Sequence, residues 1–284
     1  MSWGVFDSGV GGLTVVRALQ AMLPDVPLVY LGDTARVPYG IRSVETVRRY
    51  AREAGEFFAR ESVEGLVVAC NTASSLALDA VQDAFGGPAL GVVEPGVQEA
   101  LAATTCRRIG VIGTPATIRS DAYGQRIRAL EPSVRVISVA CPLFVPLAEE
   151  GWTEGEVPQL VARRYLAPLR ESAVDTVVLG CTHYPLLAGV IRDVMGPDVA
   201  LVDSAGAVAR AAARLRGAAG AAPATGEAPA KSLRLCVTDA GGSFAVIADR
   251  FLGRELPPLK TVRLGPGTAQ APGGAAAVPQ RSNP

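Results

Sequence analysis

The chain is predicted to be an α/β protein built from two doubly wound parallel-sheet domains related by pseudo-twofold symmetry. Three observations predict it. Short apolar runs alternate with longer helical patterns, segments of the two halves resemble each other, and each half carries a cysteine where a strand candidate ends. Taken in order, the strand candidates are Gly4 to Phe6, Leu28 to Leu31, Leu66 to Ala69, Leu90 to Val93, Ile109 to Ile112, Val134 to Val139, Thr176 to Leu179 and Leu233 to Val237. Between them Leu13 to Met22, Val44 to Glu61 and Val157 to Glu171 carry helical periodicity. In the repeat, Gly4-Val5-Phe6-Asp7-Ser8 aligns with Gly110-Val111-Ile112-Gly113-Thr114. Val67-Val68-Ala69-Cys70-Asn71-Thr72 likewise aligns with Val178-Leu179-Gly180-Cys181-Thr182-His183. A further strand lies between the paired segments in both halves, ending near Asp33 and near Cys141. Each cysteine then sits at the carboxyl end of a strand, where open α/β sheets bind ligands.

Composition narrows the function. The chain has 284 residues, 49% of them hydrophobic, enough for a substantial core in one large or two smaller domains. Its 27 basic and 27 acidic residues cancel, which argues against nucleic acid or an anionic membrane surface as a partner. The first residues lack the basic start and apolar run of a secretory signal, and no stretch reaches the roughly 18 apolar residues of a membrane span. Five widely spaced cysteines in such a chain are expected to be reduced thiols, and the protein is expected to be cytoplasmic. Residues 217–232, GAAGAAPATGEAPAKS, read as a flexible Ala/Gly/Pro-rich linker, and 265–284 as a disordered tail of the same character. Leu233 to Gly253, between them, reads as one more strand and helix.

Three motifs carry chemistry. Asp7-Ser8-Gly9-Val10-Gly11-Gly12 joins a strand to a helix and is either an anion-binding helix entrance or a tight turn; the dinucleotide fingerprint is broken by Thr14. Cys70-Asn71-Thr72-Ala73-Ser74-Ser75 also opens a helix, whose dipole is expected to favour thiolate. A buried structural cysteine is the plain alternative, though the polar run beside it is unusual company. Cys181-Thr182-His183-Tyr184-Pro185 holds the chain's single histidine, two residues from a thiol whose charge it can stabilise. A lone histidine is more often structural. No Cys-x-x-Cys pattern completes a zinc site, so no metal is expected. Cys106, Cys141 and Cys236 lack such polar surroundings and are assigned structural roles, with Cys141 able to line a cleft.

Two featured thiols suggest proton transfer at opposite faces of one carbon, one as thiolate and one as thiol. A thiol of pKa about 8.5 is only about 3% ionised at pH 7, so its surroundings must tune it. Pyridoxal chemistry requires a lysine Schiff base, and the two lysines, Lys231 and Lys260, lie beside no motif; no cofactor is expected.

The segments GVFDSGVGGLTV, LGDTARVPYG, VACNTASS, GVVEPG, IGVIGTPATIRSDAY, CPLFVPLAEEG and VVLGCTHYPLL, taken in order, resemble the bacterial glutamate racemases of the aspartate/glutamate racemase family across residues 4 to 255. The resemblance implies cofactor-independent conversion of L-glutamate to D-glutamate for peptidoglycan. Cys70 and Cys181 match the family's catalytic cysteines, Asp7 and His183 the groups assisting them, and Glu149 a further acidic residue near the site. Asp7, Ser8, Tyr39, Gly40, Asn71, Thr72, Thr182 and His183 match substrate-contact positions. It also implies a homodimer, a first domain of residues 1–97 plus 208–256 on the Cys70 side, and a second of 98–207 on the Cys181 side. The long linker and the extension are departures from the family's pattern. The competing readings are a racemase for aspartate or a hydantoin, a cysteine hydrolase using Cys181 and His183, and a non-catalytic small-anion binding protein.

Overall fold

A computed structural model describes residues 2–218, 232–241 and 244–265. The first half runs β1 (Trp3–Asp7), α1 (Leu13–Met22), β2 (Leu28–Gly32), α2 (Val44–Arg60), β3 (Gly65–Val68), α3 (Asn71–Phe85), β4 (Ala89–Gly91) and α4 (Val93–Ala103). The second runs β5 (Arg108–Gly113), α5 (Pro115–Ser120), α6 (Ala122–Leu130), β6 (Arg135–Ala140), α7 (Phe144–Glu150), α8 (Glu156–Glu171), β7 (Thr176–Gly180), α9 (Ala188–Met195), β8 (Ala200–Asp203) and α10 (Ser204–Ala218). The chain then adds β9 (Leu233–Val237), α11 (Phe244–Leu252) and β10 (Leu259–Thr261).

Every strand pairing is parallel. One sheet has the order β10-β9-β2-β1-β3-β4 and the other β6-β5-β7-β8. Strip β9 and β10 from the first sheet and both follow one order: second, first, third, fourth strand of their half. The weak sequence repeat is therefore a topological repeat, and Cys70 and Cys181 follow the third strand in each. β1, β3 and β7 are buried along their whole length. That explains their continuous apolar runs, since helices cover both faces of such a sheet.

Local chemistry sets the helices. Ser43 caps α2 by accepting from Thr46 N, and Cys70 caps α3 by accepting from Ala73 N through its sulfur. The apolar stripe of α2 buries Val47, Ala51, Ala54, Phe57 and Phe58 in the core under α3. No helix among the described residues is long and apolar enough to cross a membrane.

Two strands escaped the sequence reading, β8 and β10. Both are short edge strands whose residues are mostly half-buried; β10 shows no sustained apolar run, and that of β8, Val199 to Val202, is too short to tell a strand from a helix segment by pattern. Val92 and Val93, read as strand, instead lead into α4. Of the predicted linker, Gly217 and Ala218 complete α10 and 219–231 lie outside the described residues, as does the predicted tail from 266 onward.

Candidate active site

In a sheet of this order the neighbouring first and third strands send their connections to opposite faces, which opens a crevice at their carboxyl ends. In the first half that crevice lies between Asp7–Ser8 and Cys70; in the second, between Thr114 and Cys181. The two crevices share one small cavity, of about 60 Å³. Its walls include Ser8, Tyr39, Gly40, Cys70, Asn71 and Thr72 from the first half and Glu149, Cys181, Thr182 and His183 from the second. Ten of the eleven residues singled out in the sequence thus meet on one surface. The eleventh, Asp7, is fully buried behind the lining.

Gly11 brings the halves this close. A Cβ there would lie 2.2 Å from Thr182 Oγ1 and 2.5 Å from His183 Nδ1, so only glycine lets the β1–α1 turn rest against the Cys181 loop. Thr14 Oγ1 donates across the same contact to the Thr182 carbonyl at 3.2 Å. The glycine-rich turn therefore serves the approach of the two halves, and its Gly9 N–H goes to Asp7 Oδ2 (3.0 Å). Tyr39 is held by the buried Asp33, which accepts from the Tyr39 hydroxyl, Arg36 Nε (2.7 Å) and Thr238 Oγ1 (2.9 Å).

The two thiols differ in their company. Cys70 donates to Ser8 Oγ at 3.3 Å and receives the Ala73 N–H at 3.4 Å. The helix entrance was expected to favour thiolate, but burial and then the nearby Asp7 charge push the Cys70 thiol up to about 12 from 9.0. The hydrogen bonds from the α3 entrance and Ser8 oppose that rise and lose, because desolvating a thiolate costs more than they return. Asp7 is itself raised by burial, partly offset by the charge of His183 and the Gly9 N–H.

Cys181 faces His183 Nδ1 at 3.9 Å, and His183 Nε2 meets Glu149 Oε1 at 3.0 Å. Burial alone would lower the histidine. Its hydrogen bonds and attraction to Cys181 and Glu149 overcome this and raise it to about 10 from 6.5. These contacts favour the charged form of the imidazole beside Cys181, whereas the surroundings of Cys70 favour its neutral thiol.

The lining also includes residues that sequence reasoning did not assign to the site, among them Thr114 and Val145. The repeat contained the signal for Thr114, because it aligns with Ser8. Thr114, Thr72 and Thr117 form a hydroxyl cluster that joins the halves, with Thr72 Oγ1 at 3.0 Å from Thr114 Oγ1 and 3.3 Å from Thr117 Oγ1. Asn71 is tied across as well. Its Oδ1 accepts from Tyr123 OH (2.6 Å) and its Nδ2 donates to Ser204 Oγ (3.4 Å). Cys141 and Cys236 are buried, as expected of structural cysteines, whereas Cys106 is half-exposed.

Comparison with known proteins accords with this geometry. The sequence model described as Asp/Glu/Hydantoin racemase matches residues 13–212. The chain belongs to this family of racemases and is an isomerase. Within the family its resemblance is to the glutamate racemases. That of Geobacter metallireducens is 50% identical over 93% of this chain and 98% of its own length, and that of Syntrophus aciditrophicus is 49% identical over 92% and 96%. Among solved structures, glutamate racemase from Francisella tularensis in complex with D-glutamate superposes with a TM-score of 0.86 at 36% identity, covering 92% of this chain and 97% of the other.

Proposed function

We propose that the chain interconverts L- and D-glutamate through two opposed thiols, without a cofactor, and supplies D-glutamate for peptidoglycan in the cytoplasm as a homodimer. One observation carries the mechanism. Cys70 and Cys181 end the third strands of two topologically equivalent sheets and line one cavity from opposite halves. In this reading one sulfur, as thiolate, takes the α-proton from one face. The other, as thiol, delivers a proton to the opposite face, and the reverse reaction exchanges their protonation states. The α-hydrogen is a weak acid, so the site must stabilise a carbanion with oriented donors in a water-poor cleft. The hydroxyls of Ser8, Thr72 and Thr182 at the cavity wall are suited to that task.

The roles follow the surroundings. Cys70 is the resting thiol, with Asp7 behind it. Substrate carrying an ammonium group would offset the Asp7 charge and ease loss of the Cys70 proton. His183, held as a cation by Glu149, serves Cys181. Ser8, Tyr39, Gly40, Asn71, Thr72, Thr182 and His183 surround the substrate, Asn71 through the groups that Tyr123 and Ser204 leave free. The chain divides near residues 97 and 208, inside α4 and α10, the helices by which it passes between the sheets, and the first unit runs on through β10 of its own sheet rather than ending at 256.

Incubation with L-glutamate in deuterium oxide without added cofactor tests this. Circular dichroism should decay to zero while proton NMR shows the α-hydrogen replaced by deuterium. A folded enzyme that gives neither change with glutamate, but does with aspartate, would transfer the reading to the other amino acid. Absence of both with either substrate would remove the two-thiol mechanism.

A further inference from the structure

α11 follows the 219–231 segment and is anchored away from the second sheet. Phe244, Ala248, Phe251 and Leu252 share one core with Leu13, Val16 and Leu19 of α1 and with Leu235 of β9. Ala148, from α7 of the other half, sits in the same core. Two adjacent α11 residues then reach the His183–Glu149 pair. The fully buried Phe251 ring meets the His183 imidazole edge-on, with centroids 4.9 Å apart and planes at 72°. Arg250 Nη1 donates to the main-chain carbonyl of Glu149 at 2.6 Å. Gly151 makes room for that guanidinium: its φ is +78°, and a Cβ there would lie 2.8 Å from Arg250 Cζ.

We propose that Arg250 and Phe251 are positioning residues that hold the His183–Glu149 pair in place beside Cys181, from a helix anchored in the other half's core. Phe251 restricts rotation of the imidazole and keeps water from its face. Arg250 fixes the end of α7, so that the Glu149 carboxylate stays at hydrogen-bond distance from Nε2. The inference rests on the reading that His183 serves Cys181, and it adds a further route by which the two halves are joined at the site.

The test uses the fact that His183 is the chain's single histidine, so its imidazole NMR signals need no assignment. The titratable groups facing it are Cys181 on its own loop, Glu149 from α7 and Asp7 from β1, with the charged Arg250 of α11 at the Glu149 backbone. If Glu149 is released, the imidazolium loses a partner while its burial remains, so its titration midpoint falls. In full-length protein, Arg250→Met is expected to lower the His183 midpoint by about one pH unit, and Arg250→Lys to restore it, whereas Phe251→Leu admits water to the imidazole face, relieves the desolvation that opposes its charge and is expected to raise the midpoint. The alkaline limb of the turnover profile should move the same way, with little change in KM. A thermal melt checks folding, and Phe251→Met replaces Phe251→Leu should the latter not fold. A midpoint that stays in place in folded variants overturns the proposal. A midpoint that moves while the turnover profile does not upholds the positioning and instead counts against the role given to His183 in the reaction.

Discussion

The Cys70 and Cys181 halves share a strand order and place a sulfur at the same point of it, yet they surround that sulfur with opposite charges. After Cys70 the chain enters a 15-residue helix at once, and the thiol becomes its cap. After Cys181 it makes a turn, with Pro185 near the start of the short Tyr184–Leu187 3-10 segment, before α9 begins. That turn leaves His183 free to face the sulfur rather than be wound into a helix. Behind Cys70 lies a buried carboxylate, beside Cys181 an imidazolium backed by Glu149. A symmetric backbone therefore carries an asymmetric proton inventory. One thiol plus one ion-paired site is what a reaction needs when an acid and a base act on the same carbon at once.

The largest test of this comparison is to remove each sulfur. Cys70→Ser and Cys181→Ser should each cut racemisation by about 10³-fold, within the range for loss of an acid or base. Because the two enantiomers are equally stable, catalytic efficiency must fall equally in both directions. The distinction lies in exchange: each variant should wash deuterium into the enantiomer served by its intact thiol faster than it inverts it. Equal wash-in from both enantiomers in both variants would remove the opposed-thiol reading.

Removing the partners should cost less, about 10²-fold for His183→Asn and for Asp7→Asn, and should separate the halves by pH. A histidine raised from 6.5 to about 10 stabilises the folded state fully below pH 6.5, and that contribution is lost as pH rises through about 10. Thermal stability of the parent enzyme should therefore fall between pH 7 and 10 more steeply than that of His183→Asn, whereas Asp7→Asn should keep the parent's decline. Parallel curves for all three proteins would show that the imidazolium is not held as described.

Smaller effects probe how the halves meet. Gly11→Ala must push the β1–α1 turn away from Thr182 and His183. It is expected to cost about 1–3 kcal/mol, read by denaturant unfolding, and to reduce turnover more than the stability loss alone explains. Tyr123→Phe removes one hydrogen bond to Asn71 and should cost about 1 kcal/mol, with activity close to the parent. A large loss of turnover there would give Asn71 a direct part in the chemistry rather than in joining the halves.

Much of this site was legible because its residues sit where local pattern points to them. Apolar runs ended at Asp7, Cys70 and Cys181, helical patterns followed, and the single histidine stood two residues from a cysteine. The resemblance to the racemases then drew Glu149, Tyr39 and Gly40 to the same place. What local pattern could not carry were contacts between distant segments. Thr114 against Thr72, Tyr123 against Asn71 and Phe251 against His183 join residues at least 42 positions apart in the chain. The edge strands β8 and β10 were lost because elements of three or four residues are too short to be assigned by pattern alone.

By itself, then, the sequence determined the parallel α/β class and the family, and it singled out the two cysteines and the histidine that meet at the cavity. These depend on periodicity and on residue type at strand ends, which are local properties. Tertiary structure alone decided the state of the Cys70 thiol, where the sequence pointed the wrong way: the helix entrance is local and lowers the pKa, whereas burial and the Asp7 charge arise from packing and raise it further. It also decided that the halves are unlike in charge and that α11 closes over the His183–Glu149 pair. Desolvation and Coulomb attraction depend on distance through space, and packing sets that distance.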